Sequence, residues 1–188
     1  MIGYAICGSF CTHKASLKLL EKLAAENEIL PILSDASYCT DTRFGTAENL
    51  RERIRSITGK DAIHTIREAE PIGPKIALDA LIIAPCTGNT LAKIAHGITD
   101  TPVTMAAKAH LRSGRVLIIT LATNDAMSAN LENIALMLNR KNVYFVPMIQ
   151  DDIDKKPHSL VADFTMAEET MKLALDGKQI RPLFLESK

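Results

Sequence analysis

Four polar clusters follow apolar runs in this chain, and each carries groups able to hold an anion, a ring edge or a proton. Gly8-Ser9 with Thr12 joins a residue that permits a tight turn to two hydroxyls, which with free helix N–H groups can hold a phosphate. The same residues also describe an ordinary capped helix start. Ser34-Asp35-Ala36-Ser37 offers hydroxyls after a second run, as polar turns commonly do. Pro85-Cys86-Thr87-Gly88-Asn89-Thr90 is the densest cluster, with two hydroxyls, an amide and a glycine at a helix start. Thr87 and Asn89 are suited to a ring edge or a polyol chain, and Asn89 or Thr90 equally to capping. Asn124-Asp125 adds an amide and a carboxylate. For a general base the candidates are Asp125, Glu70 and His96, with Asp125 ranked first.

These clusters need elements that bring them together. Residues 2–7 form a β-prone run ending at Gly8, and 12–25 carries Leu17, Leu20 and Ala24 at helical spacing. A second strand at 29–33 leads into a polar stretch at 34–45 without a core pattern, then a helix with Leu50, Ile54 and Ile57 on one face. A short helix is expected over 61–69, before Pro71, Gly73 and Pro74 interrupt it. The uncharged runs 80–84 and 116–120 read as strands covered on both faces, with helices from 91 and from Pro102 between them. A helix over 128–139, a strand at 143–146 and a closing helix over 159–175 complete the pattern. This alternation predicts one α/β domain over 1–188, a three-layer sandwich with a doubly wound, mostly parallel, Rossmann-like sheet. The polar clusters then share the crevice beyond the strand carboxyl ends.

Composition narrows the function. Lys+Arg and Asp+Glu each total 22 in 188 residues, so the net charge is zero, and no basic run suits a nucleic acid or an anionic membrane. The amino-terminal apolar run is too short for a signal core or a membrane span, so a cytoplasmic protein is expected. Cys7, Cys11, Cys39 and Cys86 are expected as free thiols, with no metal set completed around the Cys7–Cys11 spacing. The fingerprints GxGxxG and GxxxxGK[ST] are absent, which leaves a mononucleotide phosphate as the nucleotide reading. The 151–156 charge cluster balances itself and reads as a solvated loop.

Ala84-Pro85-Cys86-Thr87-Gly88-Asn89-Thr90, followed by Lys93-Ile94-Ala95, Gly97 and Asp100, resembles the signature of the flavoprotein family that contains phosphopantothenoylcysteine decarboxylase. Within it, Thr42-Arg43-Phe44-Gly45, Ala69 to Lys75, Met105-Ala106-Ala107-Lys108, Thr123-Asn124-Asp125-Ala126, and Gln150-Asp151-Asp152 with Lys156-Pro157 are similar to blocks of the B subunits of dipicolinate synthases. The resemblance implies FMN, with Gly8, Ser9, Thr12 and Ser34 on the phosphate side and Thr87, Asn89 and Thr90 against the flavin. It implies an oxidoreductase forming dipicolinate from a dihydro or hydroxytetrahydro precursor during sporulation, in the mother-cell cytoplasm. The A subunit, an NAD(P)-binding protein, is the implied partner, and a homo-oligomer is expected. Arg43, Lys75 and Lys108 lie in the subunit-specific blocks and suit the substrate carboxylates. The family's decarboxylases carry an active histidine about where Glu70-Pro71 stands, paired with an asparagine matched by Asn124. That histidine and the flap cysteine have no counterpart here. FMN-dependent decarboxylation and a non-catalytic scaffold role are the alternatives.

Overall fold

In the computed structural model, which describes residues 1–186, the sheet is built outward from strands that bury on both faces. β1 (Ile2–Ile6) and β3 (Ala80–Cys86) are buried at every position. β1 pairs in parallel with β2 (Ile29–Leu33) and β3, which in turn pairs in parallel with β4 (Val116–Thr123). β5 (Val143–Phe145) lies parallel to β4 along Leu117 to Ile119. Where β5 stops, β7 (Leu160–Ala162) pairs antiparallel with Ala122 and Thr123, and β6 (Met148–Ile149) pairs antiparallel with β7. The seven-stranded sheet is therefore mixed, flanked by helices, where the alternation of apolar runs predicts a mostly parallel one. Strands of two and three residues carry too little periodicity to announce an antiparallel extension.

Helices cover both faces. α1 (His13–Ala24) packs beside α3 (Ala47–Thr58) and α8 (Ala167–Leu175) on one side. Ion pairs from Arg53 to Glu21 at 2.8 Å and from Lys22 to Glu168 at 2.5 Å mark those two seams. On the other side lie α4 (Ile66–Ala69), α5 (Gly88–Ala95), α6 (Pro102–Arg112) and α7 (Leu131–Leu138). Tyr4, fully buried under α1, donates its hydroxyl to the Ser16 carbonyl at 2.8 Å, so this polar group in the core is satisfied.

Local chemistry moves several element boundaries. Asp35–Cys39 is a short helix, α2, inside the stretch that shows no core pattern; the Ser34 hydroxyl caps it by accepting from Ser37 N at 3.3 Å. Residues 61–69 are helical only in α4, because Ile63 lies alongside β2, its N–H donating to Pro31 O at 2.9 Å and its carbonyl accepting from Leu33 N at 2.8 Å. A capping box of Thr65 and Glu68 then starts the helix. α7 begins at Leu131 and not at 128, since Ser128 N and Asn130 N turn back onto the Asp125 carbonyl at 3.2 and 3.0 Å. The closing helix begins at Ala167, because 160–162 is drawn into the sheet and Asp163 caps a 3-10 turn at Phe164–Met166.

Candidate functional site

β1, β2 and β3 are neighbours, so the loops after them open side by side. Gly8 lies against α2: a Cβ there would stand 3.3 Å from the Ala36 Cβ. A 3-10 turn at Phe10–Thr12 follows. Thr12 donates its hydroxyl to Ser9 O at 2.8 Å, leaving the Ser9 hydroxyl with only a 4.0 Å approach to Cys11 Sγ. Across the crevice, the β3 ladder is irregular between Ile83 and Cys86, where Pro85 has no N–H to give. Pro85 O still accepts from Cys7 N at 3.1 Å, which holds the ends of β1 and β3 together.

Thr87 caps α5, accepting from Thr90 N at 3.2 Å and donating to Thr90 Oγ1 at 3.0 Å. Thr90 passes the chain on, donating to Cys7 Sγ at 3.4 Å. Burial pushes the Cys7 thiol up to about 11, against the opposing pull of the Thr90 and Thr87 hydrogen bonds. The Cys86 thiol is raised by burial and by Cys7. Both are neutral thiols, unsuited to nucleophilic work. Cys11 and Cys39 are exposed, and no cluster of three metal-ligating side chains occurs among the described residues. Asn89 is exposed on the first turn of α5, and its amide makes no side-chain hydrogen bond among the described residues.

The β4 end closes the crevice from the other flank. Thr123 donates its hydroxyl to Asp125 Oδ1. Both oxygens face Gly88, where a Cβ would lie 2.6 Å from Thr123 Oγ1 and 2.9 Å from Asp125 Oδ1. The Asn130 amide reaches the same spot. Asn130 is held by Asn133, whose Nδ2 donates to Asn130 Oδ1 at 3.0 Å, and Asn133 Oδ1 lies 3.0 Å from His96 Nε2 at the far end of α5. Asn124 is exposed and accepts from Ser159 Oγ at 3.5 Å.

The predicted residues thus fall into two groups. Gly8, Ser9, Thr12, Ser34, Thr87, Asn89, Thr90, Asn124 and Asp125 stand on the loops after β1, β2, β3 and β4. Arg43 lies near them, in the turn closed by the Thr42–Gly45 bridge, its guanidinium 4.8 Å from the Phe44 ring centroid. Glu70, Lys75 and Lys108 lie elsewhere within one chain. Glu70 is exposed at the end of α4, which packs on α6. Lys75 belongs to the connection that passes Ala109 and Ser113 at Gly73 and ends at Asp79, bonded to the Met1 amino group at 2.6 Å near the strand amino ends. Lys108 is exposed on α6.

Thr123, Asn130, Asn133 and His13 are additional members that pattern reading did not single out, since their roles arise from contacts distant in sequence. His13 Nε2 sits 2.8 Å from Cys7 O, and burial lowers its pKa against that contact. The 151–156 segment is the exposed loop expected, with charges pairing within it, and its flanks are anchored. Lys156 pairs with Asp151 at 2.9 Å, Gln150 donates to Pro157 O at 2.7 Å, and Met127 N donates to His158 O at 2.9 Å, tying the segment to the Asn124 loop.

A family model described as Flavoprotein matches residues 2–171. The chain belongs to the flavoprotein family. It is 40% identical over 187 residues to the B subunit of dipicolinate synthase of Bacillus subtilis (strain 168), covering 99% of this chain and 94% of that one. The crystal structure of the dipicolinate synthase B subunit from Bacillus halodurans C superposes with a TM-score of 0.91 at 38% identity, covering 100% of this chain and 96% of that one. An FMN-dependent cysteine decarboxylase shares the fold at a TM-score of 0.67 and 22% identity, over 94% and 95% of the two chains. This flavoprotein is thus a homologue of dipicolinate synthase B subunits, in a family related to oxidoreductases and decarboxylases. No helix among the described residues is long and apolar enough to cross a membrane.

Proposed function

We propose that this flavoprotein is the B subunit of a dipicolinate synthase, acting in the cytoplasm with an NAD(P)-binding A subunit to oxidise a dihydrodipicolinate-type ring to dipicolinate. The end-to-end match to a dipicolinate synthase B subunit carries this reading. Aromatisation of the dihydro ring removes one hydride and one proton; a hydroxytetrahydro precursor loses water first. Gain of aromaticity draws the reaction forward.

The crevice fits a phosphate-bearing flavin. Gly8 leaves room for the loop to approach α2, and Gly88 leaves room for α5 to approach the β4 loop. The Ser9 hydroxyl and the first N–H groups of α5 suit the phosphate side, while Ser34 and Thr87, whose hydroxyls are engaged with Ser37 and Thr90, hold the starts of α2 and α5 along the crevice. Thr12 and Thr90 act by fixing the loops, since their hydroxyls are held by Ser9 O and Cys7 Sγ. Asn89 and Asn124 offer amides to the ring. When bound, FMN supplies a two-electron acceptor. Asp125, steadied through Oδ1 by Thr123, takes the proton on its other carboxylate oxygen. Arg43, beside the Phe44 ring, supplies positive charge that draws a dianionic substrate. Glu70, Lys75 and Lys108 contribute only across a contact between copies in a homo-oligomer.

Decarboxylation is disfavoured by Pro71 and Glu70 standing where the family's decarboxylases carry a histidine. A scaffold role draws on the same internal use of the Thr12 and Thr90 hydroxyls. The absorption spectrum and extracted cofactor mass of the purified chain, alone and with the A subunit, separate the readings. Stoichiometric FMN bleached by substrate supports catalysis here. No flavin in either preparation after reconstitution places the redox step on the partner.

A further inference from the structure

Beside the Gly8 loop, α1, α2, α3 and the 42–46 turn enclose a cavity of about 400 Å3 walled by Phe10, His13 and Ser37, a size suited to a small ring ligand. Its charge is unbalanced. Lys14, Lys18 and Arg53 line it together with one carboxylate, Glu21, and Arg53 already pairs with Glu21 at 2.8 Å. Neither Lys14 nor Lys18 has a carboxylate partner among the described residues. They stand one turn apart on α1, which sets their Cβ atoms roughly 6 Å apart. Two carboxylates flanking one position of a six-membered ring have a comparable separation. At the mouth, Phe44 is 54% exposed and presents an aromatic face, while Phe10 supplies a second from the wall.

We propose that this cavity binds a planar six-membered ring carrying two carboxylates, with Lys14 and Lys18 each meeting one carboxylate and Phe44 covering the ring. The choice of ligand rests on the dipicolinate reading, which the cavity deepens by giving the dicarboxylate a holding site beside the Gly8 loop, apart from the Asp125 carboxylate that takes the proton. The cationic partners shift from Lys75 and Lys108 to α1. Because both ammonium groups are exposed, they lose little by leaving water partly, and each charge-assisted contact strengthens as the ring excludes solvent.

Calorimetric titration of the whole chain with pyridine-2,6-dicarboxylate in metal-free buffer tests this. One saturable site is expected. Lys14→Ala and Lys18→Ala should each weaken it by about tenfold or more, and pyridine-2-carboxylate should bind about tenfold more weakly than the dicarboxylate. Lys18→Arg should restore most of the affinity, and Lys22→Ala, on the same helix but held by Glu168, should change nothing. Absence of saturable heat at millimolar ligand, or binding indifferent to both alanine variants, overturns the proposal. Parallel FMN titration and A-subunit pull-down keep the tests distinct. A chain that takes FMN and partner but no dicarboxylate refutes the cavity alone, and one that takes dicarboxylate but neither of the others refutes the synthase reading.

Discussion

Oδ1 of Asp125 and the Cα of Gly88 approach so closely that a Cβ on residue 88 would lie 2.9 Å from the carboxylate oxygen. The start of α5 is thereby pressed against the end of β4, and the cluster that faces the crevice keeps its geometry only while residue 88 has no side chain. Gly88→Ala should cost about 1–3 kcal/mol of stability, as overpacking does, and should weaken FMN retention. Denaturant melts and flavin titration read the two effects separately. A variant as stable as the parent, with unchanged flavin binding, contradicts the proposed fit.

Asp125→Asn keeps an acceptor for the Thr123 hydroxyl but removes the proton acceptor. Stability should change by less than ~1 kcal/mol, while the rate of dipicolinate formation by the two-subunit complex falls by about two orders of magnitude. Normal turnover in this variant, with flavin content and complex assembly preserved, rules Asp125 out as the base.

Thr87 is the side-chain cap of α5 and also donates to Thr90. Thr87→Ala should lose about 1 kcal/mol, with a drop in FMN affinity, whereas Thr87→Ser should preserve both. Equal behaviour of the two variants in thermal melts and flavin titration counts against a hydroxyl role.

His110 is fully buried, its Nε2 2.8 Å from Val116 O and its Nδ1 without a partner among the described residues. Burial lowers its pKa, outweighing the Val116 contact, with Arg115 lowering it further; His13 is lowered by burial as well. The unfolded chain therefore takes up protons near pH 6.5 that the folded chain resists. Stability should be full above pH 6.5 and should decline as pH falls toward the lower folded pKa, by at most about 1.4 kcal/mol per pH unit for each histidine. Urea melts from pH 7.5 to 5 measure this, and His110→Gln should flatten part of the slope. A flat profile in the parent chain refutes it.

The strands at the centre of the sheet and the loops that end them are legible in the sequence, because 80–86 and 116–122 carry no charge and, Thr120 aside, no polar residue, and each gives way at once to a polar stretch, Thr87-Gly88-Asn89-Thr90 and Thr123-Asn124-Asp125. What escapes local pattern is whatever depends on distant partners. Leu160–Ala162 extends the helical periodicity of 159–175, yet pairing with Ala122 and Thr123 draws it into the sheet. Ser34 is visible in the sequence as a polar-turn residue, while its role as the cap of α2, a helix with no apolar stripe, is not. Lys75 and Lys108 carry the right charge for a carboxylate, but charge says nothing of which end of the sheet receives a residue. Thr123, Asn130 and Asn133 converge through Gly88 and α7, a juxtaposition without a one-dimensional trace.

β7 joins the rest of the sheet at only two ladder positions, Ala122 and Thr123, beyond the point where β5 ends. Met148, Leu160 and Ala162 anchor the ribbon of β6 and β7 in the hydrophobic core, whereas residues 150–158 between them lie outside it. That connecting segment can be lengthened, shortened or rewritten while the buried parallel strands keep every neighbour they have. A family built this way can exchange the cover over a shared floor, and so change what it acts upon, without re-solving its folding problem.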